Sequence, residues 1–579
     1  MSGKMSGIGN VGAQIGAVAN AIERALAKID PNDDPEAEPL SIFALLALAG
    51  ALWWSVWMFW HWKFQPMQDL GHHIGLSAIV ADYNTKGSLY PALYDPPDPL
   101  NANSLLYFVA GYLGRLHVIG ITNCVRLCLV GYLVGVPLAN LYALRVFGRS
   151  AWAAVISVPL VFAHNMNFVA GFANLLFAGP FMVLTIPLFY RALAKPSWKR
   201  AAWASLMFVL VFLAHAHIFL WLGAMSFVMT LVFFFMAFFE RRADLKRRLV
   251  RAALVAGISL ACVTPSLLLF YRWYQWSFGA GKDQGAITTT TSGWDQDYGA
   301  QFKTVDGLFH DFYNYGLKTF IQMDDLSILW KMGVLFLVAI ACSRLKRWSR
   351  PPVMETAFAL TIASYFLLPE AIDSNSVVGS RQIGIALWLV SPFFSPVPVK
   401  VSRAARYIVV AGILWVTKES LTAWQDKLVL FENTEAAGLE YVLDAAPPRQ
   451  HMHFVKVMSD TSAVFTWKPL WHVEKYYMSD KLGQVADNPA IVSTSSIRYR
   501  VGVNPHRITY HSPDWPKWDE LWNNYELVLV HGWHPTPEQL DIAKSHAVRV
   551  RKAGNWELWR KHGPWETGDA QVSSGSATP

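Results

Sequence analysis

Apolar runs of about twenty residues punctuate the chain, the length at which a helix crosses a ~30 Å hydrocarbon layer. The first covers Ser41 to Trp62, and others follow at about 121–146, 151–166, 169–191, 201–217, 219–239, 250–272, 327–343, 353–369, 382–397 and 405–424. One soluble core cannot hide so much apolar surface: 53% of the 579 residues are hydrophobic, 26 are tryptophan and only 16% are charged. Lipid must cover the excess, and the pattern predicts a polytopic α-helical membrane protein with about 11 transmembrane helices.

The formal charge of +8 does not point to nucleic acid, because the basic residues sit in short clusters between the apolar runs. These clusters lie at Arg145/Arg149, Arg191 to Arg200, Arg241 to Arg251, Arg344 to Arg350 and Lys400 to Arg406. If all of them face the cytoplasm, parity puts the loops 63–120, 273–326 and 370–381 on the outer side, together with everything after the last run. In the first loop, Asp69 to Tyr83 and Leu105 to Leu116 carry short helical patterns interrupted by charge and are expected to lie at the interface. Residues 1–39 lack the order of a signal peptide and read as a retained cytoplasmic tail. All four cysteines fall in apolar runs, so neither a disulfide framework nor a CxxC metal site is indicated.

From about 430 the composition becomes that of a globular α/β domain, expected over 430–566 and followed by a disordered tail at 567–579. Strands are expected at Met452 to Met458, Ile491 to Val501, Leu527 to His531, Ala547 to Val550 and Trp556 to Arg560, with Gly554-Asn555 as a hairpin turn. Helices are expected at Glu435 to Ala446, Trp518 to Asn524 and Pro537 to His546.

Phosphate-loop, dinucleotide-fold, HExxH and GxSxG signatures are all missing, which moves any chemistry to the membrane. Asp69, just beyond the first run, is the leading acid. If a helix begins there, Asp69, His72 and His73 share a face, and a carboxylate in limited water can take a proton from a hydroxyl. The alternative is that Asp69 only caps that helix. Glu370, Asp373 and Arg381 share a short outer loop; an arginine entering a span is a functional candidate, and its planar fork suits a phosphate. A snorkelling Arg381 paired with Glu370 or Asp373 is the competing reading. The loop 273–326 holds Lys282, Asp295, Asp297, Lys303, Asp306, His310 and Asp311 among aromatics, most of them read as solvated. His215 and His217 lie two apart on a helix, a poor zinc pair, but fit the wall of a polar cavity. His164, Asn165, Asn167 and Asn174 read as wall too, and His451/His453 as an exposed pair on one strand face.

The order of these features resembles the polytopic GT-C glycosyltransferases that use polyprenyl-phosphate-linked sugars. GFANLLFAGPFMVLTIPLFYRAL followed by RAAWASLMFVLVFLAHAHIFLWL resembles the Gly-Phe-x-Asn and Leu-Ala-His segments of uncharacterised bacterial members. FLLPEAIDSNSVVGSRQIGIAL resembles their Leu-Pro…Arg segment, and the likeness spans about residues 40–425. The resemblance implies transfer of a sugar to a glycan, lipid or protein acceptor at the periplasmic face of a bacterial inner membrane. It makes Asp69 the base or the acceptor-positioning carboxylate and Arg381 the group near the donor phosphate; beside it, the residues read as substrate-binding are His72, His73, Glu370, Arg381 and His215. Some branches have an Asp-Glu pair where this chain has Asp69-Leu70, and no second carboxylate pair is evident; no cofactor is therefore assigned with certainty, and a divalent metal is left open. A transporter or flippase for a lipid-linked or amphiphilic substrate is the alternative, to be recognised by inverted repeats, which are not evident here.

Overall fold

A computed structural model describes residues 40–240, 244–278, 300–313, 327–343, 352–372, 378–395, 403–456, 462–465, 468–485, 497–500, 521–522 and 525–563. The main helices are α1 (Ile42–His61), α2 (Leu70–Asp82), α3 (Leu105–Arg115), α4 (Ile121–Val146), α5 (Ala153–Val161), α6 (Ala173–Ala194), α7 (Trp198–Ala214), α8 (Ala216–Phe238) and α9 (Leu245–Phe278). They continue as α10 (Ser327–Ser343), α11 (Val353–Leu367), α12 (Arg381–Leu389), α13 (Arg403–Thr434), α14 (Leu439–Asp444), α15 (Lys475–Lys481) and α16 (Pro537–His546).

Among the described residues, five helices are long and apolar enough to cross a membrane: α1, α4, α6, α8 and the Leu245–Trp276 part of α9. Their outer faces carry large apolar side chains exposed on the protein, such as Phe43, Leu46 and Trp53 on α1, Phe227 and Phe235 on α8, and Leu260 and Leu268 on α9. Apolar exposure on this scale has no place in water, and it supports a protein that sits in a membrane. At 1.5 Å per residue the 34 residues of α9 extend about 50 Å, longer than a hydrocarbon layer, so the helix reaches past it.

Two expected spans are interrupted. The run 151–166 stops as a helix at Val161, two residues after Pro159, and the chain restarts as a single turn, Met166–Val169, capped by Asn165, whose side-chain Oδ1 accepts from Asn167 N at 3.0 Å. The run 382–397 is α12 and then a 3-10 turn, Ser391–Phe394, with Pro392 at its start, since proline cannot donate into the preceding helical turn. Side chains use the backbone at both breaks: the Tyr132 hydroxyl donates to the Val161 carbonyl at 2.8 Å, and Asn140 on α4 donates to the Trp388 carbonyl at 2.9 Å.

The first loop differs from expectation more sharply. Eleven of the thirteen residues of α2 are buried, so this helix does not lie at an interface; it is enclosed between α3, α4 and the C-terminal domain. Its glycines explain how. A Cβ on Gly71 would stand 1.9 Å from the carbonyl oxygen of His472, and one on Gly75 would stand 3.0 Å from Met478 Sδ. The spacing i, i+4 makes a smooth stripe on which the segment leading into α15 lies at backbone contact. Gly71→Ala is therefore expected to weaken this docking by about 1–3 kcal/mol, as overpacking does, seen as a lower Tm and earlier release of the C-terminal domain in limited proteolysis.

The C-terminal domain is built on a five-stranded sheet. After a two-stranded ribbon of β1 (Ala300–Gln301) and β2 (Ala371–Ile372), the strands are β3 (His451–Lys456), β4 (Gln484–Val485), β5 (Leu527–His531), β6 (Ala547–Ala553) and β7 (Trp556–Lys561), in the order β4-β3-β5-β7-β6. β3 pairs in parallel with β4 and β5, while β5–β7 and β6–β7 are antiparallel, the last joined at the expected Gly554-Asn555 turn. The expected helix Glu435 to Ala446 is instead a turn that follows the end of α13 at Thr434 and then the short α14, which starts after Gly438, whose φ of +83° suits glycine. His453 is buried against Tyr525 rather than exposed, while His451 pairs with Glu526 at 3.2 Å. The expected strand over Ile491 to Val501 and helix over Trp518 to Asn524 fall largely outside the described residues, as do residues 1–39 and the tail at 567–579.

Candidate active site

Four segments meet in space, three of them assigned by the charge pattern to one side of the membrane. They are the start of α2, the turn before α6, the loop leading into α12, and the C-terminal segment before α15. Asp69 occupies the N-cap position of α2, but its side chain makes no capping hydrogen bond. Its backbone is clasped instead: Gln68 N and Asp69 N donate to the carbonyls of Val169 and Ala170 at 2.9 and 3.1 Å. Gly171 completes the clasp in a left-handed conformation with φ +78°, where a Cβ would stand 2.5 Å from Asp69 N.

The next three residues build the floor of the pocket. Phe172 lies beneath the Arg381 guanidinium, 4.3 Å from ring centre to Cζ, a cation–π contact. Ala173 N donates to His73 Nε2 at 3.2 Å. Asn174 donates to the Tyr107 hydroxyl at 2.8 Å and to the Asn103 carbonyl at 3.0 Å. Burial pushes the His73 pKa down to about 3; contact with the Gly171 backbone opposes the shift, and the nearby Arg381 charge adds to it. The imidazole is therefore neutral, accepts at Nε2 and gives its Nδ1 proton to Tyr107 Oη, 3.0 Å away. Burial, aided by the Asp69 charge, holds the Tyr107 phenol above its ordinary pKa, so it keeps its proton. Tyr107→Phe should leave His73 and Asn174 short of a partner in a dry site and cost about 1–3 kcal/mol, measurable as a drop in Tm.

Arg381 is the first residue of α12, and its position is over-determined. Asn167 donates to the Arg381 carbonyl at 3.0 Å, and a Cβ on Gly384 would stand 2.2 Å from the same amide. Burial lowers the guanidinium pKa to about 10, while Asp69 and Glu370 both stabilise its charge, so the group stays cationic at neutral pH. Glu370 is itself held by Ser380 N at 3.1 Å, Ser380 Oγ at 3.0 Å and Lys303 Nζ at 3.0 Å, and Lys303 also pairs with Asp311. Asp373, Lys282, Asp295 and Asp297 lie outside the described residues.

Of the sequence candidates, Asp69, His72, His73, Glu370 and Arg381 come together. His215 is buried at the break between α7 and α8, its ring 6.2 Å from that of His217, and His217 Nε2 accepts from the Gln382 amide at 2.6 Å. This pair therefore lies beside α12. His164 belongs elsewhere, against Ser420 at 2.8 Å.

Asp69, His72 and His73 do not act on one face. His73 turns toward Tyr107 and α6, while His72 turns toward the C-terminal domain, where its ring centre lies 3.4 Å from that of His472. His472 Nε2 stands 3.7 Å from Asp69 Oδ1. His472 is absent from any sequence-based list because nothing in its local surroundings marks it; only the docking on Gly71 brings it to Asp69. Behind it, Lys475 Nζ lies 3.2 Å from His472 Nδ1 and 2.7 Å from Glu474 Oε1, with both charged side chains buried.

A carboxylate, a neutral imidazole and a guanidinium thus lie within electrostatic reach of one another, a set that can accept a proton at one end and stabilise an anion at the other. Comparison with known families finds no family model that matches the chain, and comparison with characterised sequences finds no match either.

Proposed function

We propose that the protein is a membrane glycosyltransferase of the inverting kind that takes a sugar from a polyprenyl-phosphate donor. The observation that carries this reading is that Asp69 and Arg381, from segments 312 positions apart in the chain, are brought near enough for the Asp69 carboxylate to stabilise the arginine's charge. An acceptor hydroxyl attacks the anomeric carbon, its proton passes to Asp69, the bond between that carbon and the phosphate oxygen breaks, and Arg381 takes up the charge left on the departing lipid phosphate. In this reading Phe172 keeps the guanidinium flat and aimed, Glu370 with Lys303 steadies the loop that delivers it, and His72, His73 and His215 shape the sugar's surroundings. The resemblance noted in the sequence supports it through residues that build the pocket: Gly171, Phe172, Ala173 and Asn174 each make one of its contacts. We place the pocket at the periplasmic side of a bacterial inner membrane, with about 11 spans, on the positive-inside distribution of Lys and Arg.

The test is single-turnover assay of the purified protein in nanodiscs with radiolabelled sugars on polyprenyl phosphate and a panel of envelope glycans, lipids and peptides as acceptors. Release of free polyprenyl phosphate that depends on an acceptor supports the reading. If no donor turns over and polyprenyl phosphate itself does not bind, the reading fails.

A further inference from the structure

We propose that Asp69, His72 and His472 form a binding site for a divalent first-row metal ion of the Zn²⁺ class, assembled only when the C-terminal domain docks on α2. The three residues each offer one ligand atom, and these atoms all lie within 4.8 Å of one another. Two imidazole nitrogens and one carboxylate oxygen are a donor set suited to such an ion, and three protein ligands leave a fourth position open for water or a hydroxyl.

The geometry is close to what coordination needs. Bonds of about 2.0–2.1 Å in a tetrahedron put ligand atoms about 3.4 Å apart. His472 Nε2 and Asp69 Oδ1, at 3.7 Å, already approach that edge. The imidazoles of His72 and His472 are crowded, with ring centres 3.4 Å apart and planes inclined by 39°. A small rotation of His72 converts this crowding into two ligands around one ion. The placement is built into the backbone as well, because Gly71 alone lets the His472 carbonyl approach α2 so closely.

Lys475 sets the terms of binding. Its ammonium, held by Glu474, donates to His472 Nδ1, which leaves the ring proton on Nε2 toward Asp69. An ion at Nε2 displaces that proton, so uptake of the metal releases a proton to the medium or to the buried Glu474–Lys475 pair. Those two residues stand in the outer shell, where the partners of a metal-bound histidine fix its orientation. Without an ion the same groups form a relay hydrogen-bonded from Glu474 through Lys475 to His472, whose Nε2 faces Asp69 Oδ1 at 3.7 Å, and that is the competing outcome.

Such a site would hold its ion whether or not the protein transfers a sugar, so the measurement is of metal and not of turnover. Full-length protein carrying no polyhistidine tag is stripped with EDTA, titrated with ZnCl₂ and separately MnCl₂, desalted, and its metal content counted by inductively coupled plasma mass spectrometry. Wild-type protein should retain about one equivalent of Zn²⁺, while His72→Gln and His472→Gln should each weaken binding about 100-fold or more. The isosteric Asp69→Asn should do the same, and covers the case in which a histidine variant fails to fold; the melting temperature of the ion-free proteins reports folding. The exposed His310→Gln should bind as wild type does. No retained ion, or retention that survives all three ligand substitutions, overturns the proposal and leaves the relay.

Discussion

Asp69→Asn is expected to lower sugar transfer by at least about 100-fold, the scale on which a positioned general base contributes. Asparagine keeps the shape and the clasp, since the hydrogen bonds to Val169 and Ala170 come from backbone N–H groups of residues 68 and 69 and not from the side chain. What it removes is the proton acceptor and the negative charge that stabilises Arg381. Expression, elution profile and Tm should therefore stay near those of the wild type while turnover collapses at saturating donor. Turnover within a few-fold of wild type would take Asp69 out of the mechanism. A variant that fails to fold would instead show that the carboxylate holds His472 and the C-terminal domain in place.

Arg381→Ala is expected to weaken binding of a polyprenyl-phosphate donor by roughly 10- to 100-fold, equivalent to about 1.5–3 kcal/mol for the loss of a charged hydrogen-bonding partner. The effect should fall on the donor far more than on the acceptor, because the guanidinium is the pocket's cation and the acceptor brings no phosphate. Arg381→Lys should recover only part of the loss. A lysine restores charge but not the planar fork, and it cannot lie over Phe172 with the same face-to-ring contact. Equal losses for donor and acceptor would assign Arg381 to holding Asp69 and Glu370 together, a structural role.

Both expectations rest on groups that could be named from the sequence, while the way they are held could not. The segment Gly171-Phe172-Ala173-Asn174 illustrates the division. Its likeness to a family segment marks it, but the separate duties of its four residues, toward Asp69, Arg381, His73 and Tyr107, appear only once α6 and α2 are packed together. Periodicity misplaced α2 at an interface because a helix covered on all sides by protein and one lying in a membrane surface show similar mixed patterns. The two broken runs, 151–166 and 382–397, read as spans because window hydropathy does not register where a proline or an Asn cap interrupts the backbone.

The sequence by itself determined the class of this protein: runs of apolar residues at membrane length, basic clusters between them, and a change of composition near residue 430 that marks a second domain. These are local properties, set by how each segment partitions between water and hydrocarbon, and each can be read without knowing its neighbours. The tertiary structure alone decided which polar groups share the pocket, bringing His472 to Asp69 across 403 positions of chain. That meeting depends on Gly71 on α2 yielding to the His472 backbone, with Gly75 making room for the Met478 side chain, and close packing between distant segments leaves no periodic trace in either of them.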